Sequence, residues 1–264
     1  MRLSLAPLTD FDIGALLAAA IGFAAWRVRA LTTGGAIGAA LVGTATFGAL
    51  GMRGAFVLLA FFVSSIALSR LGKARKAALV DAGKSGPRDG AQVFANGGVA
   101  AICALLALGG DQHFAVAFAG AFAAATADTW ATEIGTLLGG QPHSILTFRP
   151  IARGLSGGVS LAGTLASFAG ALLLGAVAAA AGFGSFAAVA LAGVAGSLLD
   201  SVLGASLQSL RWCPQCARGC ETDPHACGAN TAPIRGLSWF GNDAVNFAAT
   251  LGGALVAFAL ARPS

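Results

Sequence analysis

Apolar runs separated by short polar breaks fill this chain. Eight of them are long enough to read as membrane helices, at roughly 12–29, 34–50, 54–70, 93–110, 114–138, 157–181, 184–210 and 240–261. A bilayer core takes about 20 apolar residues to cross as a helix. The second run is short and is expected to tilt little or to enter only part way. The pattern predicts an all-α polytopic membrane helix bundle of about eight transmembrane helices. It forms a single integral membrane domain over residues 1–264, with long polar loops at 70–92, 139–156 and 211–239. The breaks near Gly51, Gly110 and Gly182 are very short and read as tight helical hairpins.

Composition agrees with the pattern. The chain is 56% hydrophobic and 10% charged, with a mean hydropathy of +0.79, which excludes a soluble domain. Its 38 Gly and many Ala predict close helix approach. Those Gly-rich faces suit packing within one subunit or in a homodimer. No signal-peptide pattern stands out, because Asp10 and Asp12 precede the first apolar run.

Charge sets the orientation. Thirteen of the 16 Lys and Arg fall in the odd-numbered loops; Arg2, Arg53 and Arg262 are the remainder. The positive-inside rule then puts the three long loops in the cytoplasm and both termini outside. The expected location is the bacterial inner (plasma) membrane, with the site facing the cytoplasm. The net charge of +5 lies in loops between spans, so the bilayer is the expected partner and nucleic acid is not.

Acids and amides inside the apolar runs carry the candidate chemistry. Residues 127–135 read ADTWATEIG, which puts Asp128 and Glu133 within a span or at its edge. A carboxylate there costs about 3 kcal/mol or more and usually marks a functional site. Asp128 and Glu133 are five apart, about 140° around a regular helix, so both cannot aim at one ligand. Either the helix is irregular or one acid supports the other. Asp128 is the better Mg²⁺-directed acid; Glu133 is a second ligand or the partner of a basic loop residue. In DSVLGASLQ, Asp200, Gly204 and Gln208 share a stripe. Asn242, Asp243 and Asn246 open the last span. An Asp–Asn set of this kind suits hard-oxygen ligation of Mg²⁺. All these residues gather at the ends next to the basic loops, as a cytosol-facing site requires.

Anion binding is expected beside them. Gly157, Gly158 and Ser160 are read as a glycine-rich helix start, whose free N–H groups suit phosphate. Arg149 and Arg153 lie just upstream. Lys84 and Arg88 adjoin Gln92 and Asn96 at the start of span four. The third long loop holds Cys213, Cys216, Cys220, His225 and Cys227. These are five candidates for the four ligands of a tetrahedral Zn²⁺, so the set is open, with Cys213, Cys216, His225 and Cys227 the favoured four; a metal-free loop and redox chemistry are the alternatives.

Together, DGAQVFANGG, ADTWATEIG, GGVSLAGTLAS, DSVLGASLQ and NDAVNF, in that order, resemble the integral membrane family of plant phytyl-phosphate kinase and human transmembrane protein 19. Where that family commonly has Gly-Thr-Asn/Asp-Gly-Gly, this chain has Gly154-Leu155-Ser156-Gly157-Gly158. The Cys-rich loop is not common to all members, so zinc does not come from the resemblance. The resemblance implies a kinase that converts an isoprenoid (phytyl, geranylgeranyl or polyprenyl) monophosphate to its diphosphate. Its cosubstrate would be a nucleoside triphosphate, CTP or ATP, with Mg²⁺. Asp128, Glu133 and Asp200 would be catalytic, and Mg²⁺ would be held by Asp128 and Asp200 with Asn242, Asp243 or Asn246. Small residues of spans five to seven would form the groove for the lipid tail. A transporter or flippase of an anionic or lipid-phosphate solute is the competing class. It requires polar residues along the outer halves of the spans, which are almost wholly Ala, Leu, Gly, Val and Phe.

Overall fold

A computed structural model describes residues 9–79 and 86–261. The chain is an all-α bundle with two small sheets in its loops. The helices are α1 (Asp10–Arg27), α2 (Thr33–Arg70), α3 (Lys73–Leu79), α4 (Gly90–Ala107), α5 (Gln112–Leu138), α6 (Leu161–Ala180), α7 (Phe186–Ser206) and α8 (Asn242–Leu260). Among the described residues, six helices are long and apolar enough to cross a membrane: α2, α4, α5, α6, α7 and α8. Helix α1 stands outside that set, with Asp10, Asp12 and Arg27 in its 18 residues.

Helix α2 is two helices joined at one residue. Gly51 has φ +59° and ψ −151°, and the chain reverses there. A Cβ on Gly54 would lie 3.2 Å from Thr46 O, eight residues back, which a straight helix does not allow. The expected break at 51–53 is thus a turn that Gly51 alone absorbs, because only glycine takes those angles freely.

Helix α5 is the centre of the bundle. It packs against α2, α4, α6, α7 and α8. Every residue from Val116 to Ala127 is buried, and most are Ala or Gly. Apart from a central cluster of Phe61, Phe118, Phe122 and Phe183, many large side chains face outward: Leu16, Phe23, Phe56, Leu165, Leu191 and Leu255 are all exposed. Lipid solvates large apolar groups as well as protein does, so small residues go inside, where they let backbones close up. Gly120 shows the tolerance. A Cβ there would lie 2.3 Å from Ala257 Cβ and 2.7 Å from Gly253 O. Gly120→Val is therefore expected to destabilise the bundle by about 1–3 kcal/mol. Thermal unfolding in detergent, read against wild type, checks this.

The two ends of the bundle differ. At one end lie Gly51, Gly110 and Gly182, all at positive φ in short turns. Arg53 ties this end together by donating from Nε to Ala181 O and from Nη2 to Gly182 O, while stacking over Phe183. The opposite end carries the basic loops. There β1 (His143–Ser144) pairs antiparallel with β2 (Gly158–Val159). A three-stranded antiparallel sheet in the order β4-β3-β5 follows α7, with β3 at Leu210–Cys213, β4 at Arg218–Cys220 and β5 at Ala232–Arg235. Two expected boundaries change here. Span six starts at Leu161 and not at 157, because Gly158 and Val159 are in β2. Span seven ends at Ser206 and not at 210, because Leu210 begins β3.

Candidate functional site

Helix α5 reaches the basic end with its one polar stretch. It is a regular α-helix from Gln112 to Leu138. Asp128 and Glu133 accordingly point to different neighbours. The Asp128 carboxyl lies within hydrogen-bonding reach of the Asp200 carboxyl on α7. Asp200 Oδ2 is buried and receives no hydrogen bond from a donor among the described residues. Two adjacent carboxyls with an orphaned oxygen need a shared proton or a cation.

Glu133 serves a different partnership. Lys76 of α3 forms an ion pair with Glu133 Oε2, and Ser69 donates to Glu133 Oε1 at 2.6 Å. Lys76 also donates to Leu68 O at 2.7 Å and Ser69 O at 3.2 Å. Arg88 lies close enough to feel Glu133, which opposes the lowering of the Arg88 pKa by burial. Glu133 thus fastens α3 and the end of α2 to α5. It is not brought to the Asp128–Asp200 pair, because five residues of regular helix turn it away.

The loop before α6 differs from the expected phosphate cradle. Gly157 (φ +80°) packs on α7, where a Cβ would lie 2.5 Å from the backbone of Ala205. Gly158 is in β2, and α6 begins three residues later. Ser160 caps α6, its Oγ accepting from Gly163 N at 3.2 Å. The Gly-Gly pair therefore opens no helix. The small size of Gly157 serves close packing against α7.

Glu221, which sequence reasoning did not single out, takes over this region. It accepts from Ser156 N at 2.6 Å, from Ser156 Oγ at 3.0 Å and from Gln208 Nε2 at 2.8 Å. Burial raises its carboxyl pKa; the Ser156 hydrogen bonds, Arg235 and Gln208 work against that rise. Glu221 is near enough to Asp200 to act on it electrostatically. Arg235 donates from Nη2 to Gly204 O of α7 at 3.0 Å. No local pattern marks Glu221 in the sequence, since its place depends on how the sheet folds back on α7. Gln208, expected to bind phosphate, is buried and committed to Glu221.

The other expected residues are distributed around this end. Gln92 Oε1 accepts from Asp89 N and so completes the cap of α4, and Asn96 Nδ2 donates to Gln92 O. Arg88, Gln92 and Asn96 line one part of a cavity of about 250 Å³, whose other walls are apolar residues of α1, α2 and α4 such as Leu17, Val42 and Phe61. This apolar space lies among α1, α2 and α4; between α5 and α7, Gly193 and Gly196 close the helices onto one another. On α8, Asn242 is exposed, while Asp243 and Asn246 are half-buried. Arg149 is exposed and Arg153 half-buried. Lys84 lies outside the described residues.

Beyond the Glu221 contact, the three-stranded sheet gathers sulfur. One ligand atom each from Cys213, Cys216, His225 and Cys227 lies within 4.8 Å of all the others. Cys213 Sγ and Cys227 Sγ are 3.6 Å apart, and His225 Nδ1 is 3.2 Å from Cys227 Sγ. Cys220 is turned to Thr222 O and is not part of the group.

A membrane bundle centred on ADTWATEIG, with its polar residues gathered at the looped end, has counterparts among known proteins. The family model of the DUF92 integral membrane proteins matches residues 16–254. The chain belongs to this family. This DUF92 protein is 31% identical to Protein PGR of Arabidopsis thaliana over 89% of its own length and 91% of the relative's. It is 31% identical to an uncharacterised membrane protein of Methanocaldococcus jannaschii, over 68% of this chain and 75% of that one. It is also 30% identical to the chloroplastic protein VTE6 of Arabidopsis thaliana, over 69% of this chain and 57% of VTE6. No solved structure matches this DUF92 chain.

Proposed function

We propose that this DUF92 protein is a membrane phosphotransferase that converts an isoprenoid monophosphate to its diphosphate, with a nucleoside triphosphate, CTP or ATP, as donor. The observation that carries the reading is the Asp128–Asp200 pair, held between α5 and α7 at the basic end with Asp200 Oδ2 unpartnered among the described residues. The resemblance to the family of plant phytyl-phosphate kinase supports the same reading.

The donor set fits Mg²⁺, which takes carboxylate oxygens, waters and substrate phosphates. Asp128 and Asp200 would hold it, with Asp243 or Asn246 at the start of α8 as further oxygen donors. When bound, Mg²⁺ offsets the negative charge that spreads over the transferring phosphoryl group. The rest falls to the chain. Arg88, Arg149 and Arg153 supply positive charge at the same end of the bundle. Glu221 fixes the Ser156 backbone beside α7. The cavity among α1, α2 and α4, apolar with Arg88 at its polar part, suits a lipid tail with a phosphate head. In the reaction, a terminal oxygen of the isoprenoid phosphate attacks the γ-phosphorus. The bond from γ-phosphorus to the β-bridging oxygen breaks, and the nucleoside diphosphate leaves. The attacking oxygen is already ionised near neutral pH, so no strong general base is needed. Under this reading the site faces the cytoplasm, with eight spans and both termini outside.

The test uses detergent-purified protein with Mg²⁺, γ-labelled CTP or ATP, and phytyl or geranylgeranyl monophosphate. The expected product is labelled lipid diphosphate. Absence of label with every nucleotide, in folded protein that binds the lipid phosphate, would overturn the kinase reading and turn attention to flux of a lipid phosphate.

A further inference from the structure

We infer that the sheet β3–β5 is clipped by a structural Zn²⁺ bound to Cys213, Cys216, His225 and Cys227. Four observations converge on it. First, the four ligand atoms already cluster, all within 4.8 Å of one another. Tetrahedral zinc with Zn–S bonds of about 2.3 Å sets its sulfurs about 3.8 Å apart. The 3.6 Å between Cys213 Sγ and Cys227 Sγ matches that spacing. It is far longer than a disulfide bond of about 2.05 Å.

Second, the ribbon has no apolar core of its own. Between Ser206 and Phe240 the buried residues are Gln208, Ser209, Cys213, Cys220, His225 and Thr231. No Leu, Ile, Val or Phe is among them. A segment this small cannot bury enough apolar surface to hold itself, and such units are usually stapled by disulfides or a metal.

Third, the turns are shaped to return the ligands. Cys213 closes β3 opposite Arg218, and Pro214 to Ala217 make the tight connection. Ala217 sits at φ +50°, a left-handed conformation that favours glycine. That turn brings Cys216 back beside Cys213. A second turn, closed by Gly228 N donating to His225 O at 2.8 Å and His225 N donating to Ala229 O at 3.0 Å, does the same for His225 and Cys227.

Fourth, His225 is 3% exposed, and its Nε2 has no hydrogen-bond partner among the described residues. Its Nδ1 faces Cys227 Sγ at 3.2 Å, so the buried ring is turned into the sulfur cluster as a zinc ligand is.

The clip acts at a distance along the sheet. The cysteine cluster is at one end, where Cys213 pairs with Arg218. At the other end Leu210 pairs with Arg235, and Arg211 with Cys220, which precedes Glu221. Fixing the far end therefore fixes where Glu221 and Arg235 meet α7.

The test needs neither lipid nor nucleotide. Full-length protein is purified with its affinity tag removed, from cells grown with added zinc, and assayed for metal by mass spectrometry. One zinc per chain is expected. Cobalt exchanged into the site should show thiolate-to-cobalt charge-transfer bands and tetrahedral d–d bands. Cys213→Ser and Cys227→Ser should lose the metal; Cys220→Ser should keep it. Should the serine variants fail to fold, His225→Cys offers a conservative alternative and should retain one zinc. Wild-type protein without zinc and without the cobalt bands would overturn the inference. So would stoichiometric zinc that survives loss of Cys213, or Cys213 and Cys216 recovered as a disulfide under reducing purification.

Discussion

Asp200→Asn is expected to lower phosphoryl transfer by about 10³-fold or more, while the protein stays folded. The size follows from the role. Phosphoryl transfer asks little covalent chemistry of the protein, so most of its acceleration comes from placing charge against charge. Removing one of the two carboxyls that face each other across α5 and α7 removes half of that cation site. The asparagine is isosteric, and Asp200 accepts no hydrogen bond at Oδ2 from a donor among the described residues. Neutralising it should therefore leave folding intact or improve it, since Glu221 and Asp128 no longer repel a third acid. Asp128→Asn should behave alike, with the remaining activity demanding much more Mg²⁺. Glu133→Gln is the contrast, because it lies on another flank of α5 and should keep most of its turnover. Turnover as a function of Mg²⁺, measured for all three variants in detergent, checks the prediction. Full activity in Asp128→Asn would sink the metal assignment, whatever the substrate.

Lys76→Met is expected to be the most destabilising single change at the basic end, at about 3 kcal/mol or more. Lys76 and Glu133 have side-chain exposures of 11% and 22%, so their ion pair is largely out of water. Truncating the lysine strands a carboxylate that, among the described residues, keeps the Ser69 hydrogen bond but loses its cation. The penalty is the cost of that uncompensated charge more than the value of the pair. The double variant Lys76→Met, Glu133→Leu should accordingly recover most of the loss. A double-mutant cycle from detergent unfolding measures this, and a double variant no more stable than Lys76→Met alone would contradict it.

Much of the architecture is legible in the sequence because lipid imposes a simple rule. An apolar run of sufficient length crosses, and basic residues mark the loops. The break at Gly51 follows the rule, with Arg53 beside it. The rule fails at Gly158, which enters a strand although its neighbours read as helix. The site shows the same division. Asp128 and Asp200 stand out because carboxylates are costly in apolar runs. The five-residue spacing already separates Asp128 from Glu133, and Lys76 supplies the reason. Glu221 leaves no trace, since it lies in a polar loop where an acid is unremarkable, and its role arises from sheet register. The five zinc-competent residues are visible by spacing, whereas the exclusion of Cys220 comes from the fold of the sheet. The cavity among α1, α2 and α4 leaves no mark in the sequence, because it depends on how α1 packs against α2 and α4.

The cavity between α1, α2 and α4 has a kinetic consequence. Its lining includes Ile21 of α1, which is itself exposed on the outside of the bundle. On the kinase reading proposed above, a lipid substrate entering there arrives from within the leaflet and does not partition through water. The variable that saturates such an enzyme is its mole fraction among lipids, not its bulk concentration. Adding inert detergent or phospholipid at constant total substrate should slow turnover, and restoring the mole fraction should restore it.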